Sequence, residues 1–101
     1  MKHEITVEDK AVLVVLEGRI EQLEATELKD KLLALVDSGC RAFTVDLNNT
    51  EYMDSAGLGT LVAVRNAVLD YGGFVRVIHL KGKIKRLFEL TCLVEIFTEI
   101  E

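Results

Sequence analysis

Proline and tryptophan are absent from this chain, and cysteine and histidine occur only twice each. Without proline there is no rigid linker and no proline-forced helix break, so the chain reads as a packed globule tolerant of helices. Cys40 and Cys92 form neither a C-x-x-C pair nor any metal-like spacing. Two reduced, partly buried thiols are expected, with no disulfide or metal framework. Positive charge is short as well: 12 Lys and Arg against 17 Asp and Glu leave a net charge of -5. That balance disfavours nucleic acid and anionic membranes as direct partners and suits a basic protein groove. Long apolar runs are missing too. None approaches the roughly 18 to 20 residues of a membrane span, and Met1-Lys2-His3-Glu4 leads into no signal-type apolar core, so a cytoplasmic location is expected.

What is present is hydrophobic content, half of the 101 residues, enough for one domain (1–101) with a single modest core. Ile5, Val7 and then Val12–Leu16, separated by Glu8-Asp9-Lys10, read as two strands joined by a tight polar turn. The unbroken run Val12–Leu16 suggests a strand near the sheet centre, covered on both faces. Ala25, Leu28, Leu32, Leu35 and Val36 trace one face of an amphipathic helix that stops near Ser38-Gly39, with Glu27 and Lys31 at i, i+4 on the polar side.

Ala42–Leu47 reads as the next strand. The apolar residues Leu58, Leu61, Val64, Val68 and Leu69 then recur at helical spacing, with Arg65 inside their stripe. Gly59, Ala63, Asn66, Ala67 and Asp70 make a small, weakly polar outward face, which suits either a docking surface or packing on a neighbouring helix. Gly72-Gly73 stops that helix, Phe74–Leu80 predicts a strand containing His79, and Lys83–Leu90 a short amphipathic helix with a poorly capped start at Lys81-Gly82. Val94–Phe97 predicts a last short strand. Strands alternating with helices after an opening hairpin predict an α/β fold: one mixed, mostly parallel sheet of about five strands, with an antiparallel N-terminal edge and crossover helices.

Between the third strand and its helix stands Tyr52-Met53-Asp54-Ser55-Ala56-Gly57-Leu58-Gly59. Either Asp54 or Ser55 can cap the helix, since each side chain can accept from a first-turn amide. A serine hydroxyl there, beside the side-chain-free Gly57 and Gly59, is open to another protein's active site. The plain alternative is that Ser55 only caps. An enzymatic role for Ser55 finds little support, because no G-x-S-x-G elbow surrounds it and His3 and His79 supply no evident base. His79, alone on its strand, reads as a structural residue.

The run from Val45 to Leu61, with D-S-x-G-L-G at Asp54–Gly59, resembles the signature of STAS domains, specifically of bacterial anti-sigma factor antagonists. Gly18–Leu28 resembles that family's first loop and helix, and Lys85–Leu90 its penultimate segment. The resemblance implies a STAS-type single domain, no enzyme and no cofactor, controlled by phosphorylation of the serine that is Ser55 here. The implied partners are an anti-sigma factor serine kinase, which the unphosphorylated form binds so that a sigma factor is released, and a serine phosphatase that resets Ser55. The partner-binding surface it implies comprises Asp54, Ser55, Ala56, Gly57, Leu58, Gly59, Ala63 and Glu21, on a monomer or weak dimer. A scaffold or sensor subunit of a larger signalling assembly is the alternative within the family. The chain departs from the pattern at Glu21, usually aspartate, at Lys81-Gly82, often serine and proline, and at Cys92, usually glycine. Ala56, where some relatives have a second serine, leaves Ser55 the one hydroxyl at this position of the motif.

Overall fold

The computed structural model describes residues 2–91 and 97–99. Strand β1 (Lys2–Glu8) and strand β2 (Ala11–Ile20) pair antiparallel through a two-residue turn, Asp9-Lys10, both in the left-handed region. Two consecutive positive φ values match the twist of the flanking strands, which is why so short a hairpin closes. Helix α1 (Gln22–Asp37), strand β3 (Ala42–Met53), helix α2 (Ser55–Leu69), strand β4 (Phe74–Ile78), helix α3 (Gly82–Leu90) and strand β5 (Thr98–Glu99) follow. The five strands lie in chain order β1-β2-β3-β4-β5, antiparallel at the first pair and parallel thereafter. This is the expected mixed sheet with an antiparallel edge.

Sequential order with crossovers of one hand brings the helices to one face of the sheet. Burial follows that rule. Val12, Val14 and Leu16 of β2, Phe43, Val45 and Leu47 of β3, and Val75 and Val77 of β4 are buried in register, and one apolar cluster joins them to Ala25, Leu28, Leu32 and Val36 of α1, Leu61, Val64 and Val68 of α2, and Ile84 and Phe88 of α3. The opposite face carries Leu13, Val15, Thr44, Asp46, Arg76 and Ile78, none of them buried. The expectation that β2 is covered on both faces is therefore corrected: Leu13 is 39% exposed, and the unbroken apolar run conceals a strict alternation. The position of β2 is as expected, near the sheet centre, beside the central strand β3.

The first helix ends with outside help. It has no basic residue in its last turn, and Lys10 and Arg41 fill that role from beyond it, Lys10 Nζ donating to the Ser38 carbonyl at 2.9 Å and Arg41 Nη1 to the Val36 carbonyl at 2.7 Å. Cations there satisfy carbonyls that the helix leaves unpaired and meet its negative end. Lys31, placed to pair with Glu27, reaches instead across to β1, where its ammonium donates to His3 Nε2 at 2.9 Å. Burial and that ammonium push the His3 pKa down, keeping the ring a neutral acceptor.

Other expectations shift by position. β3 runs on to Met53 rather than ending at Leu47. β4 stops at Ile78, with His79 in a left-handed conformation (φ 58°) and its Nδ1 2.9 Å from Asp46 Oδ1, which makes it the satisfied structural residue that its isolation suggests. Leu69 is 46% exposed and leaves the apolar stripe of α2. Arg65 is half-buried and donates to Asn66 Oδ1 at 3.3 Å. Cys40 is a buried free thiol. Cys92 and residues 94–96 of the strand expected at Val94–Phe97 lie outside the described residues; Phe97 itself is not in a strand but is buried just before β5, its ring 5.9 Å from that of Phe88.

Candidate functional site

The octapeptide expected to form a strand-to-helix turn is almost all regular structure. Tyr52 and Met53 end β3, Ser55 starts α2, and Asp54 alone makes the turn. The approach to it is bulged. β3 pairs with β2 as Val15↔Asp46, Glu17↔Asn49, Gly18↔Thr50 and Arg19↔Tyr52, so β3 takes up an extra residue twice. Bulges bend a strand and re-aim its end. Here they deliver Met53 into the core while Asn48, Asn49, Glu51 and Tyr52 stay exposed.

Asp54 is the cap, not Ser55. Asp54 has extended backbone, and its Oδ1 accepts from the Gly57 amide at 3.0 Å. Its other oxygen, Oδ2, accepts from the Gln22 amide at 3.2 Å, at the first residue of α1. Glu21, in the N-cap position of α1, makes no side-chain cap bond; its Oε1 instead accepts from Arg19 Nε at 3.0 Å, and Arg19 lies 4.3 Å over the Tyr52 ring. One aspartate thus starts two helices. The amide bonds, that from Gly57 foremost, hold the Asp54 carboxyl below the usual carboxylate range, and the bond to Glu21 raises the already high pKa of Arg19.

Ser55, the first residue of α2, is exposed, and its own capping duty has been taken by its neighbour. Gly57 and Gly59, both expected beside a partner, do different things. Gly57 is buried, and a Cβ there would lie 2.5 Å from Met53 Cγ and 3.2 Å from the Ile20 carbonyl. It is a close-packing glycine under the turn, out of reach of a partner. Gly59 is exposed with open space around it. Ala56 and Ala63 are partly exposed, and Leu58 is buried to 9% exposure. Helix α2 leans on α1 one residue further round, where the buried Thr60 hydroxyl lies 2.9 Å from the Ala25 carbonyl and 3.0 Å from that of Ala56.

Three features of this surface are absent from the sequence reading. Leu23 is 71% exposed in the first turn of α1, and Tyr52 is 41% exposed at the end of β3. A groove of about 600 Å³ also opens between the turn and α3. Met53, Leu58, Ile84 and Leu87 supply its apolar lining, with Glu51, Asp54, Ser55 and Lys83 among its polar residues. The sequence signal was Leu87, which lies beside Ile84 and Phe88 on the apolar side of α3 yet remains only half-buried. Among the described residues no cluster of His, Cys, Asp and Glu could hold a metal ion, and no helix is long and apolar enough to cross a membrane.

This arrangement has relatives. Residues 3–98 match the family model described as Mlab, STAS domain. The anti-sigma-B factor antagonist of Staphylococcus aureus (strain NCTC 8325 / PS 47) is 32% identical over 103 residues, covering 97% of this chain and 95% of that one. Among solved structures, TM1081 of Thermotoga maritima superposes with a TM-score of 0.90 at 21% identity, covering 98% of this chain and 86% of that one. The anti-sigma factor antagonist SpoIIAA in its unphosphorylated form gives 0.84 at 13% identity, with 99% and 88% covered. The phosphorylated form of SpoIIAA, from Bacillus, gives 0.82 at 14% identity, with 99% and 92% covered. The family-model match over nearly the whole chain, together with a relative 32% identical across 97% of it, shows that the chain belongs to the STAS domain family.

Proposed function

We propose that this chain is a cytoplasmic anti-sigma factor antagonist, a binding protein rather than an enzyme, switched by phosphorylation of Ser55. Unphosphorylated, it docks on an anti-sigma factor that is itself a serine kinase, and the sigma factor is released. Phosphorylated by that kinase, it lets go until a serine phosphatase resets it. The observation that carries this reading is the exposed Ser55 hydroxyl on the first residue of a helix whose start is already fixed by Asp54. The hydroxyl is thereby rigidly placed yet free of structural duty. The relatives support the same reading, through the name of the Staphylococcus aureus protein and through a SpoIIAA structure in each phosphorylation state.

The docking surface comprises Ser55, Ala56, Gly59 and Ala63 of α2, with Asp54 and Glu21 beside them and Leu58 reached through the groove. Leu23 and Tyr52, both exposed, extend it. A phosphate on Ser55 adds about -1.5 to -2 charges and three acceptor oxygens next to the Asp54 carboxylate. In a close interface that is repulsion, bulk and unmet desolvation together, so the surface changes while the fold stays.

The test is to mix the protein and ATP with each histidine-kinase-like anti-sigma factor of its own genome and to map phosphate by mass spectrometry. One of them should place a single phosphate on Ser55, and Ser55→Ala should take up none while still binding. Phosphate on another residue, or none with any candidate, overturns the proposal. A large assembly on size-exclusion chromatography, in place of a discrete complex with the kinase, points to the scaffold alternative.

A further inference from the structure

A phosphate on Ser55 meets a hostile local field. Asp54, its immediate neighbour, is held as a carboxylate by backbone amides, and Glu51 lines the same groove. The Gly57 amide, which an uncapped helix start would offer to an anion, is already bonded to Asp54 at 3.0 Å. With that amide committed, more of the compensating charge falls to a side chain. Of the described residues lining the groove, Lys83 is the single cation, in the first turn of α3. Lys83 is exposed and, among the described residues, makes no hydrogen bond or ion pair. Its four-carbon stem lets the ammonium swing without moving the helix.

We propose that Lys83 is the counter-ion of phosphorylated Ser55, pairing with the phosphate across the mouth of the groove. The inference rests on the reading of Ser55 as the phosphorylation site and assigns α3 a part in the switched state. The charged groups around the phosphate are then Glu51 and Asp54 from the β3–α2 side, Lys83 from α3, and the Arg19–Glu21 ion pair between β2 and α1, whose two charges offset each other. The carboxylates of Glu51 and Asp54 disfavour the dianion and the ammonium favours it.

The experiment uses full-length protein carrying phosphoserine installed at position 55 during translation, so neither kinase nor partner is needed. The second ionisation of the phosphate, near pH 6 for free phosphoserine, is followed by phosphorus NMR in otherwise wild-type protein and in Lys83→Met, Lys83→Arg and Lys85→Met. Lys85 is exposed on the same helix but is not among the described residues that line the groove. Removing the counter-ion in Lys83→Met should raise the apparent pKa by about half a unit, a screened fraction of what a close ion pair gives. Lys83→Arg and Lys85→Met should titrate like the parent. An unshifted Lys83→Met, or an equal shift in Lys85→Met, overturns the assignment. Failure here removes Lys83 from the switch, whereas failure of a kinase to modify Ser55 removes the switch itself, and the two results are read separately.

Discussion

The Asp54 carboxylate accepts a hydrogen bond from the Gln22 amide, 32 positions away in sequence, while also capping its own helix through Gly57. The two helices that flank the proposed docking surface therefore start from one side chain. Their mutual contact is sealed further in by Thr60. A partner reading Ser55, Leu23 and Tyr52 thus reads a surface whose geometry is set before it arrives, which lowers the ordering cost of binding.

Acid should expose this dependence. A carboxyl whose pKa is lowered in the folded state contributes stability that is fully present above the unfolded value, about 4 for aspartate, and is lost as pH falls through the lowered folded value. Thermal midpoints measured from neutral pH into that acid range should fall in the wild type, and should fall less in Asp54→Asn, which starts lower because the charged acceptor is gone. Parallel acid profiles for the two proteins would show that Asp54 carries no such linkage.

The two glycines of the motif should respond oppositely to alanine. At Gly57 the new methyl collides with Met53 and the Ile20 backbone, and overpacking of this kind costs about 1–3 kcal/mol. At Gly59 the space is open, so alanine should stabilise the helix by up to about 1 kcal/mol. Urea denaturation of both variants checks the signs. If Gly59 lies on the docking surface, the stabilised variant should nevertheless bind the anti-sigma factor more weakly.

Thr60→Val should cost about 1–2 kcal/mol, because it strips the hydroxyl from a buried site facing the Ala25 carbonyl and leaves that acceptor dependent on what remains around it. The same denaturation series measures it. A neutral result would mean that the contact between α1 and α2 rests on packing alone.

Leu23→Ala should do the reverse of Thr60→Val. With Leu23 71% exposed, truncation should change folding stability by less than about 0.5 kcal/mol, yet it should weaken binding of the anti-sigma factor at least several-fold. Calorimetric titration separates the two effects, and unchanged affinity would remove the start of α1 from the docking surface.

Much of this was legible from periodicity. The stripe Leu58, Leu61, Val64 and Val68 marks α2 and Ala25, Leu28, Leu32, Leu35 and Val36 mark α1; all of these are buried except Leu35, which is half-buried at the edge of the core. The extension of β3 was hidden because Asn48-Asn49-Thr50 carries turn chemistry, and only the bulged pairing with β2 holds such residues in a strand. The one-sided sheet was hidden because Leu13 and Val15 are apolar on the open face, so that alternation disappears from the composition. Ser55 could be named from the motif, but the choice between Asp54 and Ser55 as cap required coordinates. The Gln22 bond and the groove against α3 join residues far apart in the chain, and no local pattern encodes them.

The most direct measurement is the affinity of one anti-sigma factor for the wild type, for Ser55→Ala and for the protein with phosphoserine at position 55, at a single salt concentration. Wild type and Ser55→Ala should bind alike and the phosphoprotein at least tenfold more weakly, about 1.4 kcal/mol or more. Equal affinity of the phosphorylated and unphosphorylated proteins would contradict the claim that the charge on this one side chain decides whether the partner stays.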